Sequence, residues 1–196
     1  MADYTLYYWP VPFRGQFVRA VLEQAGADWD EAGFEAVAAQ RQAEVREQLV
    51  PHMGPPVLVD HGAGVTLSQL PAILGYLGLR LGMLPGEPAG IAMTLKVIGD
   101  ANDVLGDMTR DNGSQMWTPG DWAGFHPRLE RWMRIFEETG RRNGSSAGAG
   151  WMLGTDAPGV ADIVSAVLWG TKTDAFPSLR PTLERCAPAI AGLTDR

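Results

Sequence analysis

A single cysteine, Cys186, among 196 residues excludes an intrachain disulfide and any thiol-disulfide pair within one chain. Histidine is almost as sparse. His52, His61 and His126 are scattered, with neither metal-ligand spacing nor a Ser-His-Asp or Cys-His arrangement. No metal is expected, and any chemistry is expected to rest on a bound thiol, a hydroxyl or an organic cofactor. Basic charge is also short: 16 Lys and Arg stand against 23 Asp and Glu, a net charge of -7. Such a field repels nucleic acid and anionic membranes, so neither is an expected partner, and an anionic small molecule needs a local basic pocket. No apolar run reaches the ~18 residues of a membrane span. The opening Met1-Ala2-Asp3-Tyr4 has no basic stretch ahead of an apolar core, and a cytoplasmic location is expected.

What is present suits one large domain or two small ones, at 45% hydrophobic and 20% charged residues. Tyr4, Leu6 and Tyr8 alternate with Thr5 and Tyr7, so the first segment reads as a strand closed by Trp9 and Pro10. Phe17, Val18, Val21, Leu22 and Ala25 then mark a helix over 15–25, stopped by Gly26. A weak strand is predicted at 31–34 and a polar helix at 38–49. Strands follow at 57–60 and 65–67 around a turn at 61–64, then a helix at 68–81. Beyond a linker at 83–88 nothing alternates like a strand. Helices are predicted at 89–112, 127–142 and 160–171, with short ones after Pro177 and Cys186, and a flexible Gly, Ser and Ala tether at 144–150. The expected architecture is α/β followed by all-α, with no internal repeat.

Three places offer chemistry. Tyr8 sets a phenol at a strand's end, where a packed sheet leaves its hydroxyl little entropy to lose on meeting a ligand. The strand alone equally allows both tyrosine rings to be core. In Met53-Gly54-Pro55-Pro56-Val57 a proline enters a strand directly, which suits a cis bond that turns the Pro55 backbone outward to pair with an extended peptide-like ligand, or else a rigid turn. In Thr66-Leu67-Ser68-Gln69-Leu70-Pro71 a strand passes into a helix whose first N–H groups suit a carboxylate; Gln69 offers a further clamp, and Ser68 either touches ligand or caps the helix.

Together these segments resemble the cytosolic glutathione transferases of the tyrosine type, in a bacterial-like form. The resemblance covers nearly the whole chain. It rests on Tyr4-Thr5-Leu6-Tyr7-Tyr8-Trp9-Pro10-Val11 with Arg14-Gly15, on Pro55-Pro56-Val57, on Thr66-Leu67-Ser68-Gln69, and on Gly154 followed by Val160-Ala161-Asp162. It implies a thioredoxin-like domain of order βαβαββα at 1–82 that binds glutathione, a linker at 83–88, and an all-helical domain at 89–196 that forms the electrophile pocket. It further implies a detoxifying conjugation carried out by a homodimer. Within the family a glutathione-dependent isomerase, peroxidase or lyase is the competing activity, and a binding module without turnover is the alternative outside catalysis.

By the same resemblance Tyr8 donates its hydroxyl to the glutathione sulfur, while Tyr7 stays a core ring. Pro55, Gln69, Ser68 and Leu70 hold the tripeptide, and Arg14 and Arg41 are the candidates for its carboxylates. Asp100 and Asp103 are candidates for reaching its amino group across a dimer interface. Trp9, Val11, Phe13, Met108 and Trp117 are expected to line the electrophile pocket. Leu70 departs from the family's serine and leaves the helix start to bind by backbone. Pro12 and Phe13 lengthen the loop before Arg14, and Gly159 leaves half of a capping box missing before Asp162. Cys186 is expected as a buried apolar filler.

Overall fold

The computed structural model describes residues 2–109 and 118–196, which divide into two compact units at Met1–Met83 and Leu84–Arg196. In the first, β1 (Tyr4–Tyr7), α1 (Arg14–Gln24), β2 (Trp29–Glu31), α2 (Phe34–Gln42), β3 (Val57–Asp60), β4 (Val65–Ser68) and α3 (Leu70–Arg80) follow in order. The sheet runs β2-β1-β3-β4, with β1 parallel to β2 and antiparallel to β3, and β3 antiparallel to β4. This is the thioredoxin-like order. β2 falls earlier and is shorter than the sequence suggested, because Trp29 to Glu31 are the residues that pair with Tyr4 to Leu6. α2 likewise begins at Phe34, and the predicted helix over 38–49 ends at Gln42. Past it, the Gln48 amide ties the chain to the Gln40 and His52 carbonyls at 3.2 and 3.1 Å.

Alternation in β1 decides the fate of the paired tyrosines. Leu6 is fully buried, and Tyr4 and Tyr8 share its parity at 6% exposure each, whereas Tyr7 is half-buried. The expectation that Tyr7 is the core ring is therefore corrected: the deeper ring is Tyr8.

A carboxylate anchors the far end of β3. Asp60, 2% exposed, accepts from the Tyr76 hydroxyl at 2.7 Å and the Ala63 N–H at 2.8 Å, with the Arg80 guanidinium at 3.5 Å. Burial raises its pKa, but these partners outweigh it and the carboxyl titrates below its ordinary range. Asp60→Asn is expected to cost ~1–2 kcal/mol near neutral pH. Because the folded value is depressed, the wild-type advantage should be complete above pH ~4 and should narrow as the pH falls further. Denaturant titrations of both proteins across that range check it.

The second unit is all-helical: α4 (Pro88–Met108), α5 (Pro119–Arg142), α6 (Val160–Ala175), α7 (Arg180–Cys186) and α8 (Pro188–Leu193). α4 packs on α6, α6 on α8, and α5 on α7 and α8. Trp169, Phe136, Met133, Ile98 and Leu105 are buried at its centre, and Trp169 meets Phe136 edge-on at 5.6 Å.

Four expectations change here. α5 starts at Pro119, not Pro127, since Thr118 and Asp121 close a reciprocal capping box and Pro127 sits inside the helix. The 144–150 stretch is a tight turn instead of a flexible tether: Ser146 and Ala149 exchange two backbone bonds at 2.9 and 3.1 Å. Cys186 is buried, yet its thiol lies against charge, 3.6 Å from Arg134 and 3.7 Å from Glu130. Pro88, predicted in the linker, is the first residue of α4.

Candidate functional site

Strand register assembles the site in the first unit. Tyr7 pairs with Val57 and Val57 with Ser68, so the next residues at that end of three neighbouring strands are Tyr8, Pro56 and Gln69. α1 and α3 both begin just beyond it, and each presents first-turn N–H groups that no helical carbonyl can reach. A row of three side chains and two helix starts converge on one sheet end.

Tyr8 lies against the start of α1. The N–H groups of Gly15 and Arg14 face its oxygen, and the Arg19 guanidinium stands 5.7 Å over its ring. Burial raises the phenol's pKa, and those N–H groups with the charges of Arg14 and Arg19 offset it only in part. The hydroxyl therefore keeps its proton at neutral pH and remains a donor. Gly15 is there because a side chain does not fit: a Cβ would overlap the Cγ and Cδ1 atoms of Tyr8 and stand 2.9 Å from its Cβ. Gly15→Ala is expected to cost ~1–3 kcal/mol by overpacking. A thermal melt and the near-ultraviolet signal of Tyr8 check it, and an unchanged protein would mean that the ring is loosely held.

Arg19, absent from the sequence reading, holds the loop after β1. It donates to the Trp9 carbonyl at 2.9 Å and the Val11 carbonyl at 3.2 Å, and pairs with Glu31. The only hint in the sequence was a cation one residue from the apolar face of α1. Trp9 packs on Phe34 at 5.2 Å, Val11 is 45% exposed, and Phe13 lies beneath the Arg14 guanidinium at 5.0 Å. Burial lowers the pKa of Arg14, with the charge of Tyr8 acting the other way.

At the other edge Gln69 has φ 72°, the one non-glycine residue in the left-handed region among the described residues, and its side chain is exposed. Such a backbone costs ~1–3 kcal/mol and marks a constrained position. Ser68 ends β4 half-buried. Leu70 buries its side chain in the core at 1% exposure. Pro71 follows without an N–H, so the donors left at the start of α3 are the amides of Leu70 and Ala72. Pro56 is joined to Pro55 by a cis bond. Arg41 is exposed in the last turn of α2.

The remaining candidates lie in the second unit. Asp100 pairs with Lys96 at 2.5 Å, Asp103 is exposed on α4, and Met108 is buried in its last turn. Trp117 lies outside the described residues. No group of three metal-binding side chains occurs among the described residues, and no described helix is long and apolar enough to cross a membrane.

Known proteins share this fold. No curated protein matches the chain by sequence. Among solved structures, a glutathione transferase homolog from Lodderomyces elongisporus, recorded with two GSH per subunit, is 20% identical, with a TM-score of 0.71 over 100% of this chain and 99% of its own. The Pi-class glutathione S-transferase of Onchocerca volvulus is 15% identical, with a TM-score of 0.75 over 99% and 86%. Prostaglandin synthase D of Nilaparvata lugens is 16% identical, with a TM-score of 0.71 over 98% and 92%. Residues 93–196 match the model of the glutathione S-transferase C-terminal domain, more than half of the chain. With that match, and with the sheet and helical units described above, the chain belongs to the glutathione S-transferase family.

Proposed function

We propose that this protein is a glutathione transferase of the tyrosine type, in which Tyr8 stabilises the thiolate of glutathione for attack on an apolar electrophile. One observation carries the reading. Tyr8 is a buried phenol, protonated at neutral pH, fixed at the start of α1 beside two guanidiniums. A thiol of pKa ~8.5 is only a few per cent ionised at pH 7, and lowering it by two units takes ~2.7 kcal/mol of preferential thiolate binding. A hydrogen bond to a charged partner is worth ~1.5–3 kcal/mol, and the helix start with Arg14 adds to it. The sulfur then forms a bond to carbon while the leaving group departs with the electron pair; the thiol proton goes to solvent.

Gln69, the carbonyl of Pro55 and the amides of Leu70 and Ala72 hold the tripeptide, with Ser68 beside them and Arg14 nearest to its carboxylates. On this unit's side the electrophile meets Trp9, Val11 and Phe13. The protein is expected to act as a cytoplasmic homodimer, which light scattering of the purified chain checks for assembly.

The decisive experiment is an ultraviolet difference titration of bound glutathione against pH. A thiolate band well below pH 8 supports the enzyme. Ionisation like that of free thiol sinks the mechanism, and no binding at millimolar glutathione favours a binding module of the same fold.

A further inference from the structure

Pro55 lies two residues before Val57, the first paired residue of β3, at the sheet end where β1 runs out into Tyr8. An ordinary residue alongside an antiparallel partner exchanges two bonds with it, giving an N–H and accepting one. Pro55 has no N–H to give. Its carbonyl is half-exposed with the residue and takes part in no hydrogen bond among the described residues. The site therefore offers half of a strand pair, an acceptor without its donor. Pro56, the next residue, also lacks an N–H.

From this we infer that Pro55 is a specificity-determining residue, which selects thiol co-substrates by the amide N–H of the cysteinyl unit and leaves the cysteinyl carbonyl unrecognised. The inference rests on the glutathione reading. Its consequence is a site tolerant of γ-glutamyl thiols that lack that carbonyl, the simplest being γ-glutamylcysteamine. A family member with a full pair at this position would bind such a thiol less well relative to glutathione. The loss of the side-chain hydroxyl at Leu70 and of the N–H at Pro71 leaves the carboxylate end of the ligand on two backbone amides, so the cysteinyl contact weighs more in the total.

Pro55→Ala supplies the missing N–H at a site where no bulk is added, and Pro55→Val is a second variant should alanine loosen the loop. Calorimetric titration of wild type and variant with glutathione and with γ-glutamylcysteamine forms a cycle. Loss of the glycine is common to both proteins, so only the new N–H and the ligand carbonyl remain coupled. The variant is expected to bind glutathione about 2- to 10-fold more tightly, the worth of one hydrogen bond, with γ-glutamylcysteamine changed less than about 2-fold. An equal gain for both thiols, or none for either while glutathione still binds, overturns the inference and leaves the transferase reading standing. Failure of either thiol to bind the wild-type protein at millimolar concentration overturns that reading, and this inference with it.

Discussion

Replacing Tyr8 by phenylalanine is expected to lower kcat/KM for conjugation of a generic aryl halide by about 10- to 100-fold, the equivalent of one hydrogen bond to a charged sulfur. The ring stays, so its packing against Gly15 and beneath Arg19 is preserved. What goes is a donor. Glutathione affinity measured at low pH, where the thiol is neutral, should change little. The bound thiol's pKa should rise by ~1–2 units toward that of the free thiol. This combination separates a missing donor from a misfolded site, because a collapsed loop would weaken binding at every pH. Full activity with the titration unmoved would assign thiolate stabilisation to the start of α1 and Arg14.

The same residue shows how far the sequence could be read. β1 was legible from its alternation, and the register of three strands gathers Tyr8, Pro56 and Gln69 at one end, with Pro55 one residue beyond. Which tyrosine lies deeper was also available, since Tyr8 shares parity with Leu6 and no core strand buries both faces equally without aliphatic residues on each. Pro127 imitates a helix start because proline favours a first turn, while Thr118-Pro119-Gly120-Asp121 carries the stronger signal of a cap, a first-turn proline and an acid three residues on. Arg19 was beyond reach. Its role depends on two carbonyls of a loop whose path no periodicity records. Burial of the Leu70 side chain was likewise a tertiary outcome, fixed by how α3 packs on α1 and β4.

Asp162→Ala is expected to be the most damaging single change outside the glutathione site, costing ~3–5 kcal/mol from a total of ~5–15. Asp162 is 3% exposed in the first turn of α6, and each of its oxygens serves one N–H: Met152 at 2.6 Å and Gly159 at 2.9 Å. Gly159 brings no side chain, so only the aspartate half of a capping box exists and no second group compensates. Burial raises the carboxyl's pKa, and the Met152 and Gly159 amides pull it back only in part, the mark of a polar group held in the interior by its partners. The turn it fastens is equally constrained. Met152 is buried with its sulfur 2.7 Å from the Ser165 hydroxyl, while Gly154, at φ 67°, would bring a Cβ to 2.8 Å from the Asn143 carbonyl. Alanine at 162 strands two amides at once, and the Met152 segment has no water-facing route to new partners. The exposed Thr118 box on α5 supplies the contrast: Thr118→Ala should cost ~1 kcal/mol, since water takes over the one freed amide, that of Asp121. Denaturant unfolding of the two variants side by side tests the argument, and equal losses would show that burial of Asp162 adds nothing to its cap.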